Sequence, residues 1–198
     1  LSDHRMSLSR MTLINWLAKG ASFTSSLIGS LKDRAMVKDS IINCDETWCK
    51  VKVNGHFMRK YIWCLVNKER KIVIYCYEDG SRGRKVLRKI LEDREVKALQ
   101  SDGYNVYMYI DKELVDTEHL CCLAHSRAKF VYAYEQGGDL DAKYIIDCFG
   151  ELYRLEDTYK LSGLPAEEIT RCRQSLRTKE IIGRIRSKLD VLLSATHP

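Results

Sequence analysis

Residues 40–55 read SIINCDETWCKVKVNG. The first half, Ser40 to Cys44, is a short apolar run that ends in an acid, Asp45. The second half sets Trp48, Lys50 and Lys52 against Cys49, Val51 and Val53, the two-residue period of a strand with one face turned inward. Asn54–Gly55 closes it, because these two residues tolerate the positive φ angles of a two-residue hairpin. Reading outward, Phe57–Val66 carries Tyr61, Ile62, Trp63 and Leu65 as the returning strand, and a polar turn at Asn67–Arg70 leads into a third strand, Lys71–Tyr77. Past Gly80–Gly83 the period lengthens. Val86, Leu87, Ile90 and Leu91 share one face of a helix over Arg84–Asp93. Val96–Gln100 returns to a strand ending at Ser101–Asp102–Gly103, Tyr104–Asp111 reads as a short helix, and His119–Leu123 as a fifth strand.

The flanks are helical. Leu8, Met11, Ile14 and Leu17 recur at three- and four-residue steps over Ser7–Lys19, a helix that Gly20 is expected to close, and a second helix is expected over Ser25–Met36. Beyond Ala124 helices are predicted over Ser126–Tyr134, Ala142–Lys160 and, after Gly163–Leu164–Pro165, Ala166–Leu193. Three antiparallel strands, helix, strand, helix, strand, then helices is the RNase H-like order. It predicts an α/β fold with a mixed five-stranded sheet, the last two strands parallel and on the other side of the first, with flanking helices and a C-terminal helical insertion. The expected division is an N-terminal helical segment over 1–38, the core over 39–136 and the helical insertion over 137–198.

With 198 residues and 45% hydrophobic content the chain has the means to bury a core, which excludes a disordered polyelectrolyte. The net charge of +6 suits a polyanionic partner without identifying one. Of eight cysteines, Cys44, Cys64, Cys76, Cys121 and Cys122 sit in apolar runs as small hydrophobes, so reduced thiols in a cytosolic compartment are expected. No run approaches the roughly 18 apolar residues of a membrane span and no signal-peptide pattern opens the chain, so no membrane partner is expected. A start at Leu1 and a stop at Pro198 after a helical run suggest part of a longer protein.

In such a sheet the first strand is central and the fourth lies beside it, so Asp45 and Asp102 face one another. Each alone has a plain explanation: Asp45 as a turn cap, Asp102 in an Asp-Gly turn. Together, in this element order, they favour a divalent metal site, Mg²⁺ or Mn²⁺. Hard cations choose carboxylate oxygens, and paired ions activate the nucleophile and stabilise the leaving oxygen in phosphodiester chemistry.

Asp45–Glu46–Thr47, Ser101–Asp102–Gly103–Tyr104, Cys122–Leu123–Ala124–His125–Ser126–Arg127–Ala128–Lys129–Phe130 and Gly150–Glu151–Leu152–Tyr153 resemble, in the same order, blocks of the IS66 family of bacterial insertion-sequence transposases. The likeness runs from about Leu8 to the C-terminus. The departures are Leu123, where the family has Trp, and Ala128, where it has Arg. The resemblance implies a DDE-type transposase with Asp45 and Asp102 as the first two acids of its triad. The family's third acid, a glutamate, lies in an Asn-Asn-x-x-Glu-Arg block that is absent here, so the chain is expected to be inactive alone. Glu151 is the fallback third acid.

Other constellations carry less. His119, Cys121, Cys122 and His125 are close in sequence, but adjacent Cys121 and Cys122 point to opposite faces of a strand, which disfavours zinc. His125 stands where the fifth strand meets the next helix and serves either a phosphate or a local hydrogen bond. Arg82, Arg84 and Lys85 open one helix, and His125, Arg127 and Lys129 begin another. As DNA-binding residues they would neutralise phosphates and set position rather than sequence. The Ser7–Lys19 helix is either the end of a helix-turn-helix or a packing element. The function expected is metal-dependent cleavage and strand transfer on element ends and target DNA by a homo-oligomer. A non-catalytic nucleic-acid-binding or assembly module, or an RNase H-like nuclease of another family, are the alternatives.

Overall fold

The computed structural model describes residues 7–92, 94–110 and 116–196, and the chain divides into two compact units, 1–122 and 123–198. In the first unit, helix α1 (Arg10–Ala35) precedes β1 (Ile41–Val53), β2 (His56–Asn67), β3 (Ile72–Glu78), helix α2 (Arg84–Leu91), β4 (Ala98–Ser101) and β5 (Glu118–Cys121). The strands lie in the order β3-β2-β1-β4-β5. β1 pairs antiparallel with β2 and parallel with β4, and β4 parallel with β5. This is the RNase H-like sheet that the element order predicts.

The Asn54–Gly55 turn takes φ 50° and 84°, the two positive angles of a type I′ hairpin. The two apolar runs of residues 40–53 prove to be one continuous strand, because Glu46 and Thr47 stay paired with Trp63 and Ile62. β1 meets β4 only over Ile41–Asn43 and β2 meets β3 only from Tyr61 onward, so Cys49–Val53 runs on with His56–Lys60 as a two-stranded arm. Ile42 and Cys44 of β1, Trp63 and Leu65 of β2, and Leu87, Ile90 and Leu91 of α2 are buried in one cluster with Leu99 and Tyr107. The period-3.6 face read from the sequence is therefore the one α2 lays on the sheet.

Three expectations for the helices are corrected. Gly20 does not close a first helix: α1 runs unbroken for 26 residues. A helical glycine costs only about 1 kcal/mol relative to alanine, too little to stop a helix without a left-handed cap, and Gly20 does not take a positive φ. The segment Ala166–Leu193 is two helices, Ala166–Arg173 and Leu176–Thr196, since Ser175 turns its hydroxyl to Thr178 and caps the second. The short helix after Asp102 shrinks to a 3-10 turn at Tyr107–Tyr109; its expected end at Asp111 lies outside the described residues.

The second unit consists of α3 (Leu123–Gly137), α4 (Leu140–Leu161), α5 (Ala166–Arg173) and α6 (Leu176–Thr196). Asp139 caps α4 by accepting from the backbone N–H groups of Asp141 and Ala142, and Phe149 of α4 meets Phe130 of α3. Charged pairs tie the helices: Arg173 grips Glu156 through two nitrogens at 2.6 and 2.7 Å, and Glu151 receives Arg177 and Arg184 at 2.7 and 2.8 Å. These guanidinium hydrogen bonds hold both carboxyls below the ordinary glutamate range. A depressed carboxylate pKa stabilises the fold above its unfolded value and ceases to do so as pH falls through the folded one. The α3–α6 unit is therefore expected to lose melting temperature as pH drops below about 4.3, and circular dichroism melts of Glu151→Gln/Glu156→Gln should show a flatter acid limb.

All eight cysteines are free thiols, and no described helix is long and apolar enough to cross a membrane.

Candidate active site

The sheet brings the two sequence-predicted acids to one edge. β1 and β4 are in register at Asn43 and Gln100, and Asp45 and Asp102 each follow two residues later. They therefore stand at the same level, Asp45 within β1 and Asp102 just past the carboxyl end of β4. Asp45 is exposed and Asp102 half-buried. Asp102 Oδ1 accepts the Tyr104 N–H at 2.9 Å across Gly103, whose φ of 79° lets the chain double back within two residues. Asp45 Oδ1 accepts the N–H of Glu46 at 2.9 Å. The turn role foreseen for Asp102 is thus real, whereas Asp45 lies within the continuous strand β1 and caps no turn. A carboxylate making one such bond still presents oxygen lone pairs to a cation.

The same strand buries a third acid on its other face. Side chains alternate along β1, so Glu46 follows Ile42 and Cys44 inward while Asp45 points away. Glu46 has a side-chain exposure of only 3%. It accepts the Tyr107 hydroxyl at 2.7 Å and faces Arg82 at 3.6 Å. Burial pushes its carboxyl above the ordinary range; the Tyr107 hydrogen bond opposes the shift, nearby Asp102 adds to it and Arg82 opposes it. Tyr107 is itself fully buried, edge-on to Trp63, stacked on His119, with its hydroxyl 3.6 Å from the Cys44 sulfur. His119 in turn shares a 2.8 Å hydrogen bond with the hydroxyl of Ser101, the residue before Asp102.

These contacts form a brace. The Arg82 guanidinium lies 4.0 Å from the Tyr104 ring centre while facing Glu46, and the Tyr104 N–H is the donor to Asp102. From β1, Glu46 thus holds both ends of the loop Asp102–Tyr107. Sequence reasoning passed over Glu46 as one letter of a weak Asp-Glu-Thr motif and over Tyr107 altogether. The only available signal was an acid at an inward strand position. Gly103→Ala, forced into a left-handed angle, is expected to cost about 1–2 kcal/mol, read as a lower denaturation midpoint.

The arm of β1 and β2 carries a second feature. No acid occurs between Thr47 and Lys68. Cross-strand partners Trp48 and Tyr61, Lys50 and Arg59, and Lys52 and Phe57 share the face that continues from Glu46. Arg59 lies over the Trp48 ring at 4.8 Å, and among the described residues Lys50 and Lys52 take part in no ion pair. Lys60, on the opposite face, is half spent on Asp79.

Of the remaining predicted residues, Arg84 and Lys85 open α2 in the first unit, whereas His125, Arg127 and Lys129 lie in the first turns of α3 in the second. Glu151 belongs to α4 and is engaged by two arginines. Among the described residues no group of three or more His, Cys, Asp or Glu side chains is placed to hold a metal. The pair Asp45 and Asp102 nonetheless offers what a hard cation prefers: carboxylate oxygens, with Asp45 exposed and Asp102 half-buried so that waters can be retained.

A family model described as Transposase IS66 family matches residues 1–197. A search of curated proteins found no match.

Proposed function

Because the chain belongs to the IS66 family of transposases, we propose that it cuts and joins DNA by DDE-type chemistry, with Asp45 and Asp102 as catalytic carboxylates that hold Mg²⁺ or Mn²⁺. The observation that carries this reading is the β1–β4 register, which sets the two acids level on adjacent strands. A bound divalent cation supplies Lewis-acid polarisation of the scissile phosphate and offsets charge on the leaving oxygen. In cleavage, water forms a new bond to phosphorus as the bond to the 3′ oxygen breaks, leaving a 3′-hydroxyl and a 5′-phosphate. In strand transfer that 3′-hydroxyl attacks a target phosphate and displaces the target's own 3′ oxygen.

The chain's side chains have separable tasks in this reaction. Asp45 and Asp102 provide the oxygen donors. Glu46, Tyr107 and Arg82 are positioning residues that keep the Asp102 loop against β1, so that little reorganisation is left for the reacting state. Lys50, Lys52 and Arg59 present cations, and Trp48 and Phe57 flat apolar surface, to a DNA backbone lying along the arm. A two-stranded ribbon of this width also fits the major groove. Arg82, Arg84 and Lys85, together with His125, Arg127 and Lys129, would add phosphate contacts.

Lys50→Ala/Lys52→Ala/Arg59→Ala is expected to weaken duplex binding about tenfold near 0.1 M salt and to shallow the log K against log salt slope by about 2–3, from roughly 0.9 per phosphate contact. Gel-shift titrations over a salt series measure both. The function itself is tested by incubating protein from the reading frame that contains this chain with an end-labelled duplex ending in its element's terminus. Nicking that appears with Mg²⁺ or Mn²⁺, leaves a 3′-hydroxyl and stops with chelator supports the proposal. DNA binding without divalent-dependent nicking would make the chain an assembly module.

A further inference from the structure

Helix α1 is 26 residues long, yet Ala35 is its only buried residue. Its anchorage is confined to the last turns, where Lys32 pairs with Glu92, Asp33 with Arg94, and the Asn67 side chain donates to the Ala35 carbonyl. The rest is an exposed rod with large apolar side chains: Leu17 is 74% exposed, Leu27 59% and Leu31 41%. Isolated exposed leucines call for no explanation, but a continuous stripe does.

Leu13, Leu17, Gly20, Thr24, Leu27 and Leu31 follow one another at steps of four, three, four, three and four. That seven-residue repeat makes one seam along a helix, the pattern by which two helices pack knobs into holes. The seam is also palindromic about residue 22. Laid antiparallel on a copy of itself, Leu13 meets Leu31, Leu17 meets Leu27, and Gly20 meets Thr24. Large side chains oppose large ones toward both ends and small ones oppose small ones at the crossing. A Cβ at Gly20 would have nothing within 4 Å, so that close approach is open. Self-complementarity of this kind is what a two-fold interface requires of a single surface.

We propose that α1 is a dimerisation helix whose occupant is the α1 of a second copy of this chain, paired antiparallel about residue 22. The size agrees. Some 20 paired residues span about 30 Å, and covering one side of a rod 10–12 Å across on each copy removes on the order of 1,000–1,200 Å² in total, at the lower bound of specific interfaces. The seam bears no charge, and only Arg10 and Lys19 precede Lys32 in the helix, so its chemistry fits an apolar copy rather than a DNA backbone. The two Ala35 residues would stand about 39 Å apart along the pair, at 1.5 Å per residue, with one sheet unit at each end.

The test is sedimentation equilibrium of the chain across 1–200 μM, for the native sequence, Leu17→Glu, Leu27→Lys and the double variant. Native protein is expected to dimerise with a micromolar dissociation constant. Each single variant should weaken it at least thirtyfold with an unchanged thermal melt, because both side chains are exposed in the monomer. The double variant should regain association, since an antiparallel pair sets the carboxylate introduced at position 17 of one copy against the ammonium introduced at position 27 of the other. A native monomer at 200 μM overturns the proposal. So does a dimer indifferent to Leu17→Glu, or a double variant that stays monomeric. A stripe that is covered only in a longer reading frame that itself remains monomeric would assign the surface to another segment and overturn it as well.

Discussion

Asp45→Asn and Asp102→Asn are each expected to lower divalent-dependent DNA cleavage by at least about 10³-fold, equivalent to roughly 4 kcal/mol of barrier, while leaving the melting temperature within a degree or two. The contrast follows from what asparagine keeps and loses. Its Oδ1 still accepts the N–H of Tyr104 at position 102, or of Glu46 at position 45, so the Asp102 turn and the local β1 geometry persist. Its charge is gone, and an amide is a weak partner for a hard cation that depends on carboxylates. DNA affinity should move less than about threefold, because the proposed phosphate contacts are made by the cations of the arm and of α2. A nicking assay paired with a gel shift separates the two effects, and equal losses in both would contradict the assignment.

Tyr107→Phe has the largest expected effect on the fold of the sheet unit, about 1–3 kcal/mol, although it deletes a single oxygen. That hydroxyl is the close donor to a carboxylate that is almost wholly buried. Without it Glu46 is left, among the described residues, with Arg82 at 3.6 Å, and a buried charge stripped of a hydrogen bond costs more than the bond contributed. Glu46→Gln, which remains an acceptor but removes the charge, should be milder. The double variant should recover part of the loss, an interaction energy that a double-mutant cycle in urea would read. Cleavage by Tyr107→Phe should fall mainly in kcat, because the loop that carries Asp102 loses one of its ties to β1.

The sheet was legible because its signals are local. Alternation in Trp48–Val53, the Asn54–Gly55 turn and the apolar face of α2 each occupy a few consecutive residues, and each appears in the structure as the sequence implies. The places where the reading failed have the opposite character. Gly20 and the Gln174–Ser175 break turned on balances near 1 kcal/mol between a helix and its interruption. The Glu46 brace joins residues 36 to 61 positions apart, Arg82 at one extreme and Tyr107 at the other, and no short pattern announces such a contact. In α1 the amphipathic period was visible, but periodicity shows that a face is apolar without showing what covers it. Asp45 and Asp102 were singled out by element order and by resemblance, and neither signal pointed to the buried carboxyl of Glu46 that faces Arg82.

That Asp45 and Asp102 share a divalent cation is tested most directly by soaking crystals of the chain in millimolar MnCl₂ and computing an anomalous difference map. A manganese peak is predicted within about 2.0–2.5 Å of a carboxylate oxygen from each of the two aspartates, lost in Asp102→Asn. Crystals that take up manganese elsewhere, or none at this pair, would contradict it.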